Sequence, residues 1–143
     1  MLEAIRNYLL ECPLLSDDGK LGIEYLSNEP INYSIEEVAG YEPIITYYID
    51  GSTVRQLLFS INSREYFGQD DIDTNLANSK FYEDFSNWLE TNNKQKNIPE
   101  LDGNKYATEI RALSSGYVFE VDEGMKKARY RIQCRLIYEM EEI

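Results

Sequence analysis

Residues 128–138, ARYRIQCRLIY, switch character at almost every step. Tyr130, Ile132, Cys134, Leu136 and Tyr138 share one parity, and Arg129, Arg131, Gln133 and Arg135 share the other. Successive side chains of a strand point to opposite faces, so this run predicts a strand with one buried apolar face and one polar face. The chain that contains it holds 26 acids against 14 bases, a formal net charge of −12. Three arginines on one side of one strand therefore need a reason.

Several bounds follow from the rest of the composition. At 143 residues the chain predicts a single domain, 1–143, long enough to bury a substantial core. Hydrophobic residues at 43% and charged residues at 28% are globular values, far from the regime of intrinsic disorder. Twelve tyrosines favour pleated surfaces and interfaces, because the ring packs while the hydroxyl reaches a partner. No apolar run is long enough to span a bilayer, and MLEAIRNYLLEC lacks the cationic start and apolar stretch of a secretory leader. The expected location is the cytoplasm. Cys12 and Cys134 are too few and too far apart for a disulfide framework or a zinc site, so both are expected reduced and buried.

Along the chain, Leu2, Ile5, Leu9 and Leu10 recur near helical spacing until Pro13. LGIEYL (21–26) and INYSIEEV (31–38) read as strands, separated by turns at Ser16-Asp17-Asp18-Gly19 and Asn28-Glu29-Pro30. Residues 43–68 hold two β-rich runs around Asp50-Gly51, a strong hairpin signal that turns Leu57, Phe59 and Ile61 toward a core. From Asp70-Asp71 a long helix is expected, with Phe81, Phe85, Trp88 and Leu89 on its apolar stripe, extended by Ile72 and Leu76, and a break at Asn78-Ser79. A polar loop (94–103) follows. Residues 108–122 then form two short β runs or one bulged strand around Ser114-Ser115-Gly116, and a turn at Glu123-Gly124-Met125 leads into the alternating strand. The class is α+β: an antiparallel or mixed sheet with two helices packed on one face, leaving the other face for partners.

Much chemistry is missing. The chain has no histidine, which removes Ser-His-Asp and Cys-His arrangements and the usual zinc sites. No GxGxxG, GxxxxGK[ST] or GxSxG occurs. Asp71-x-Asp73-x-Asn75 imitates half of a calcium loop, but Leu76 and Tyr82 stand where glycine and the closing glutamate belong, so it reads as helix capping. The pairs Glu36/Glu37 and Glu141/Glu142 read as solvated surface. No enzyme activity, cofactor or metal is expected.

Charge is uneven along the chain. Residues 1–50 carry ten acids and two bases, whereas Lys126, Lys127, Arg129, Arg131 and Arg135 crowd five bases into ten positions. The arginines could pair with acids on neighbouring strands, each pair contributing about 0.2–1 kcal/mol. Alternatively Arg129, Arg131 and Arg135 meet acids of an adjacent copy, among them Glu36 and Glu37, as unlike patches do in a closed ring. The acidic balance speaks against direct nucleic-acid binding.

Several stretches together resemble a known family: MLEAIRNYLLECPLL, YSIEE, DGSTVRQLLFSINSREYFG, FYEDFSNWLE, LSSGYVFE and ARYRIQCRLIY. The chain is similar, over essentially its whole length, to minor structural proteins from the head and tail gene clusters of tailed phages and prophages of Gram-positive bacteria. These are usually called minor capsid proteins, and they resemble tail terminator, or tail completion, proteins. The resemblance implies an α+β subunit of a ring, hexameric in such terminators, that caps a non-contractile tail tube and faces the head connector. It implies assembly in the host cytoplasm and a final place at the head-tail junction of the virion, with other copies, the tube protein and connector proteins as partners. It carries no catalytic residue. Two other readings compete: an acidic cytoplasmic adaptor or inhibitor that mimics nucleic acid, and an enzyme built on carboxylates and tyrosines.

Overall fold

The computed structural model describes residues 1–14, 21–23, 32–66, 72–114, 116–121 and 127–142. In chain order these form α1 (Leu2–Leu9), β1 (Leu21–Ile23), β2 (Asn32–Glu37), β3 (Ile44–Tyr47), β4 (Thr53–Tyr66), α2 (Ile72–Lys94), β5 (Lys105–Ala112), β6 (Tyr117–Val121) and β7 (Lys127–Met140). The expected turns at 16–19, 28–30 and 123–125, the Asp70-Asp71 helix start and residues 24–26 of the first expected strand lie outside the described residues.

Two long strands form the spine of the sheet. β4 and β7 run antiparallel and pair along their whole length, from Thr53 opposite Met140 to Tyr66 opposite Lys127. Each spine strand carries two short strands in tandem on its outer edge: β2 and β3 on β4, β5 and β6 on β7. The sheet is mixed, because β1 joins β2 in parallel while the other pairings are antiparallel. The α+β class holds.

β5 ends at Ala112 and β6 begins at Tyr117, so the strands divide where the sequence suggests two β runs. The ladder is carried beyond Ala112: Leu113 N–H donates to Gln133 C=O at 2.7 Å, and Gln133 N–H donates to Ser114 Oγ at 3.0 Å. At the outer edge of β5, Asn93 of α2 serves as a strand substitute. Its Oδ1 accepts from Ile110 N–H at 2.9 Å and its Nδ2 donates to Ile110 C=O, so backbone groups that no further strand pairs are still satisfied.

Both helices pack on one face. Leu57, Phe59 and Ile61 of β4 and Ile132, Cys134 and Leu136 of β7 meet Ile5 and Leu9 of α1 and Phe85 and Leu89 of α2 in one buried cluster. Tyr8 pins the helices together: its hydroxyl donates to Asn97 C=O at 2.8 Å and accepts from Asn92 Nδ2 at 3.1 Å. Cys12 and Cys134 are free and buried, as expected, and burial pushes the Cys134 thiol up.

The second helix departs from expectation in two ways. It runs unbroken through Asn78 and Ser79. Those residues cost only a few tenths of a kcal/mol each in a helix interior, which packing on the sheet outweighs. The seam against the sheet is Tyr82, Phe85, Leu89 and Asn92, while Phe81 and Trp88 flank it half-buried. Tyr82 is tolerated there because its hydroxyl reaches Ser63 Oγ at 2.5 Å.

The hairpin closes as its signal predicts. Tyr48 N–H donates to Ser52 C=O at 2.9 Å, and Gly51, at φ +91°, takes the left-handed position that glycine occupies without penalty. Asp50 stiffens the turn by accepting from Ser52 N–H at 2.9 Å and from its hydroxyl at 2.6 Å, which holds the Asp50 carboxyl below its usual range.

Between β2 and β3, the half-buried Tyr41 donates its hydroxyl to Glu37 Oε1 at 2.8 Å. Burial first, then the hydrogen bond to that carboxylate, pushes Tyr41 from its ordinary 10.0 up to about 12. Tyr41 thus holds its proton more tightly folded than unfolded. Its contribution to stability is complete below pH 10.0 and is lost as the pH rises through about 12. Urea unfolding from pH 9 to 12 is expected to show stability falling across this window, and Tyr41→Phe to flatten part of the fall. An unchanged profile in that variant would remove Tyr41 from the effect.

Candidate interaction surface

The face of the sheet opposite the helices is assembled by register. Ser34 of β2, Asn62 of β4 and Arg131 of β7 form one row across it, and Glu36, Ser60 and Gln133 form the next. Leu58, Arg135 and Arg111 make a third row, and Gln56, Ile137 and Glu109 a fourth. No described helix lies on this side. The face is amphipathic: serine, asparagine and arginine toward one end, Val54, Leu58 and Ile137 toward the other.

Of the five residues singled out from sequence, the structure brings two together within one chain. Arg131 Nη2 lies 3.5 Å from Glu36 Oε2, and its Nε–H donates to Asn62 Oδ1 at 2.8 Å. β4 lies between the two charged residues. Its side chains there, Ser60 and Asn62, are short, so the long arginine can cross the roughly 10 Å that separates alternate strands. For Arg131, pairing with an acid on a nearby strand of the same molecule is the arrangement observed.

Glu36 and Glu37 point to opposite faces, as neighbours in a strand must. Glu37 stands opposite Phe59 on the helix side, where it receives the Tyr41 hydroxyl. Arg129 shares the open face and lies in register with Arg64 and Glu120. Arg135 stands between Leu58 and Arg111, and Arg111 is itself paired with Glu109 at 2.5 Å. The Arg135 Nε atom is buried and has no hydrogen-bond partner among the described residues.

Two substitutions separate the roles around Arg131. Both members of its pair with Glu36 are about 30% exposed, so solvent screens the interaction, and Glu36→Gln is expected to cost under about 1 kcal/mol. Arg131→Met deprives the fully buried Asn62 Oδ1 of its shorter donor, leaving the Ser60 hydroxyl at 3.4 Å, and is expected to cost about 1–3 kcal/mol. Urea unfolding at low and high salt checks the order, and the reverse order would make the ion pair the dominant interaction.

Sequence reasoning missed a second exposed feature, the end of the hairpin. Ile45 is 47% exposed, Tyr47 74%, Tyr48 48% and Ile49 fully exposed. The signal was present in PIITYYI (43–49), which carries no charge and does not alternate. A strand apolar on both sides is either covered on both sides or leaves one side uncovered. Among the described residues β3 pairs only with β4, and the exposure of Ile45 and Tyr47 shows that the second case applies.

An open cleft of about 540 Å³ separates α1 from residues 97–102. Glu3, Glu11, Glu100 and Asp102 line it and all four are exposed, so it lacks the pair of buried carboxylates that acid–base chemistry in this chain would require. Among the described residues, no group of three or more cysteine or acidic side chains could hold a metal ion, and no described helix is long and apolar enough to cross a membrane. Asp71 of the calcium-loop look-alike lies outside the described residues, and the backbone of residues 73–75 is part of α2.

No protein-family model matches the chain, and no curated protein matches it at a significant level.

Proposed function

We propose that this chain is a non-catalytic assembly subunit of a tailed-phage virion, of the tail terminator kind, which caps the tail tube and meets the head connector. The observation that carries the reading is the one-sided layering of the sheet: both helices pack on one face, and among the described residues no helix covers Arg135 and Leu58 on the opposite face, a surface that suits a partner. The whole-chain resemblance supplies the identity of the assembly. The exposed apolar hairpin supports the same reading, because contiguous uncovered apolar side chains mark protein contact sites.

The nucleic-acid mimic is supported less well. Its basis would be an unbroken negative surface, whereas the open face intersperses Arg111, Arg131 and Arg135 with Glu36 and Glu109.

The test is to label purified virions and isolated tails with gold-coupled antibody raised against this chain and to image them by electron microscopy. Label at one end of the tube, coincident with the head junction in complete particles, is the expected result. Label absent from tube ends, or scattered along the tube, would overturn the proposal.

A further inference from the structure

The hairpin end and the open sheet face are chemical complements. Ile45, Tyr47, Tyr48 and Ile49 form an exposed apolar and aromatic group. Carboxylates border it: Asp50 within the turn, Glu42 just before β3, and Glu142, whose carboxylate lies against Gly51 so closely that any side chain at position 51 would collide with it. The open face offers apolar side chains beside one arginine for which no ion pair is seen among the described residues, Arg135, while Arg111 is paired with Glu109. Arg135 and Arg111 lie in one row with Leu58, and Ile137 stands two positions farther along β7 on the same side.

From this complementarity we infer that the hairpin end of one copy docks on the Arg135 region of the open sheet face of a second copy. Ile49 packs on Leu58 and Ile137, a tyrosine ring lies on a guanidinium plane, and a carboxylate at the turn pairs with the Arg135 guanidinium. The contact rests on the assembly reading above only for the expectation that copies meet in a ring.

The two patches cannot meet within one molecule. Arg135 stands opposite Leu58, five residues along β4 from Thr53, which is roughly 17 Å of extended strand. The hairpin end lies beyond Thr53 and continues the same paired ladder, which holds it away from its own sheet face. A contact between two different patches on identical subunits is heterologous, so it propagates from copy to copy and closes when the rotation allows. With a net charge of −12, copies repel one another in most orientations, and the carboxylate-bordered hairpin meeting Arg135 is an exception.

Sedimentation velocity on the full chain tests the contact, with Ile49→Asp disabling the hairpin and Arg135→Glu disabling the face. Circular dichroism and thermal unfolding verify that both variants fold, and Arg135→Gln replaces Arg135→Glu if that variant does not. The wild type is expected to form oligomers that grow with concentration and recede with salt. Each variant alone is expected to raise the dissociation constant by at least about tenfold. A one-to-one mixture is expected to form dimers and nothing larger, since each pair retains one intact hairpin and one intact face. Wild-type protein that stays monomeric at every concentration, variants that assemble like it, or a mixture that remains monomeric would each overturn the inference. Tube-end labelling is read separately, so a chain that marks tube ends but fails here keeps the assembly role and loses this contact.

Discussion

Phe59→Ala is expected to lower the free energy of unfolding by about 3–5 kcal/mol. Phe59 is fully buried at the middle of β4, opposite Cys134 on one side and Glu37 on the other. Its backbone is therefore held by a paired strand at each edge, and the sheet cannot close around the space the ring would leave. A domain of this size has roughly 5–15 kcal/mol to lose in total, so the variant should sit near the threshold of folding. Urea unfolding should show a lower midpoint with an unchanged slope, and thermal unfolding a drop of roughly 10–20 °C. Ile49→Ser, on the exposed hairpin, serves as the contrast and should stay within about 0.5 kcal/mol of wild type. A loss under about 1 kcal/mol for Phe59→Ala would refute the placement of this ring at the centre of the core.

Gly116→Ala should cost about 2–3 kcal/mol although it adds a single methyl group. The backbone at Gly116 is not in the left-handed region, so the difficulty is space alone. A Cβ there would lie within 2.6 Å of Cβ, Cγ and Cδ2 of Tyr82. The Tyr82 ring has no room to retreat: it is buried, meets Phe81 edge-on at 4.9 Å, stacks near Tyr130 at 6.1 Å, and is anchored by its hydroxyl to Ser63. A double-mutant cycle isolates the clash. In a Tyr82→Gly background, which removes the Cβ along with the ring, the extra methyl should cost far less, and additive losses would point to a cause other than the Tyr82 side chain.

The elements with strong period or strong turn chemistry were legible from sequence, namely β7, the Asp50-Gly51 hairpin and α1. Each of these is decided by local pattern. What escaped was decided by tertiary packing. Asn78 and Ser79 looked like a helix break because intrinsic propensity was weighed without the sheet against which α2 lies. Tyr82 was passed over beside the more apolar Phe81, yet a hydroxyl partner on β4, invisible in the helix sequence, makes the inner position tolerable. The candidate surface was half legible. Alternation placed Arg129, Arg131 and Arg135 on one face correctly, but strand order decides which acids they meet. Nothing in the sequence places Glu36 one strand removed from Arg131 across two short side chains. Asn93, which reads as an ordinary polar residue near a helix end, proves to close the backbone ladder of β5.

The full-length pairing of β4 with β7 also governs how quickly the chain reaches its native state. These partners are separated in sequence by α2, β5 and β6, so the spine cannot zip from a tight turn and must wait for distant segments to find one another. High mean separation between contacting residues places folding in the millisecond-to-second range rather than the microseconds of local helical bundles. Substitutions that strengthen the β3–β4 hairpin should therefore leave the overall rate nearly unchanged, whereas lengthening the segment between β4 and β7 should slow it through the added closure entropy.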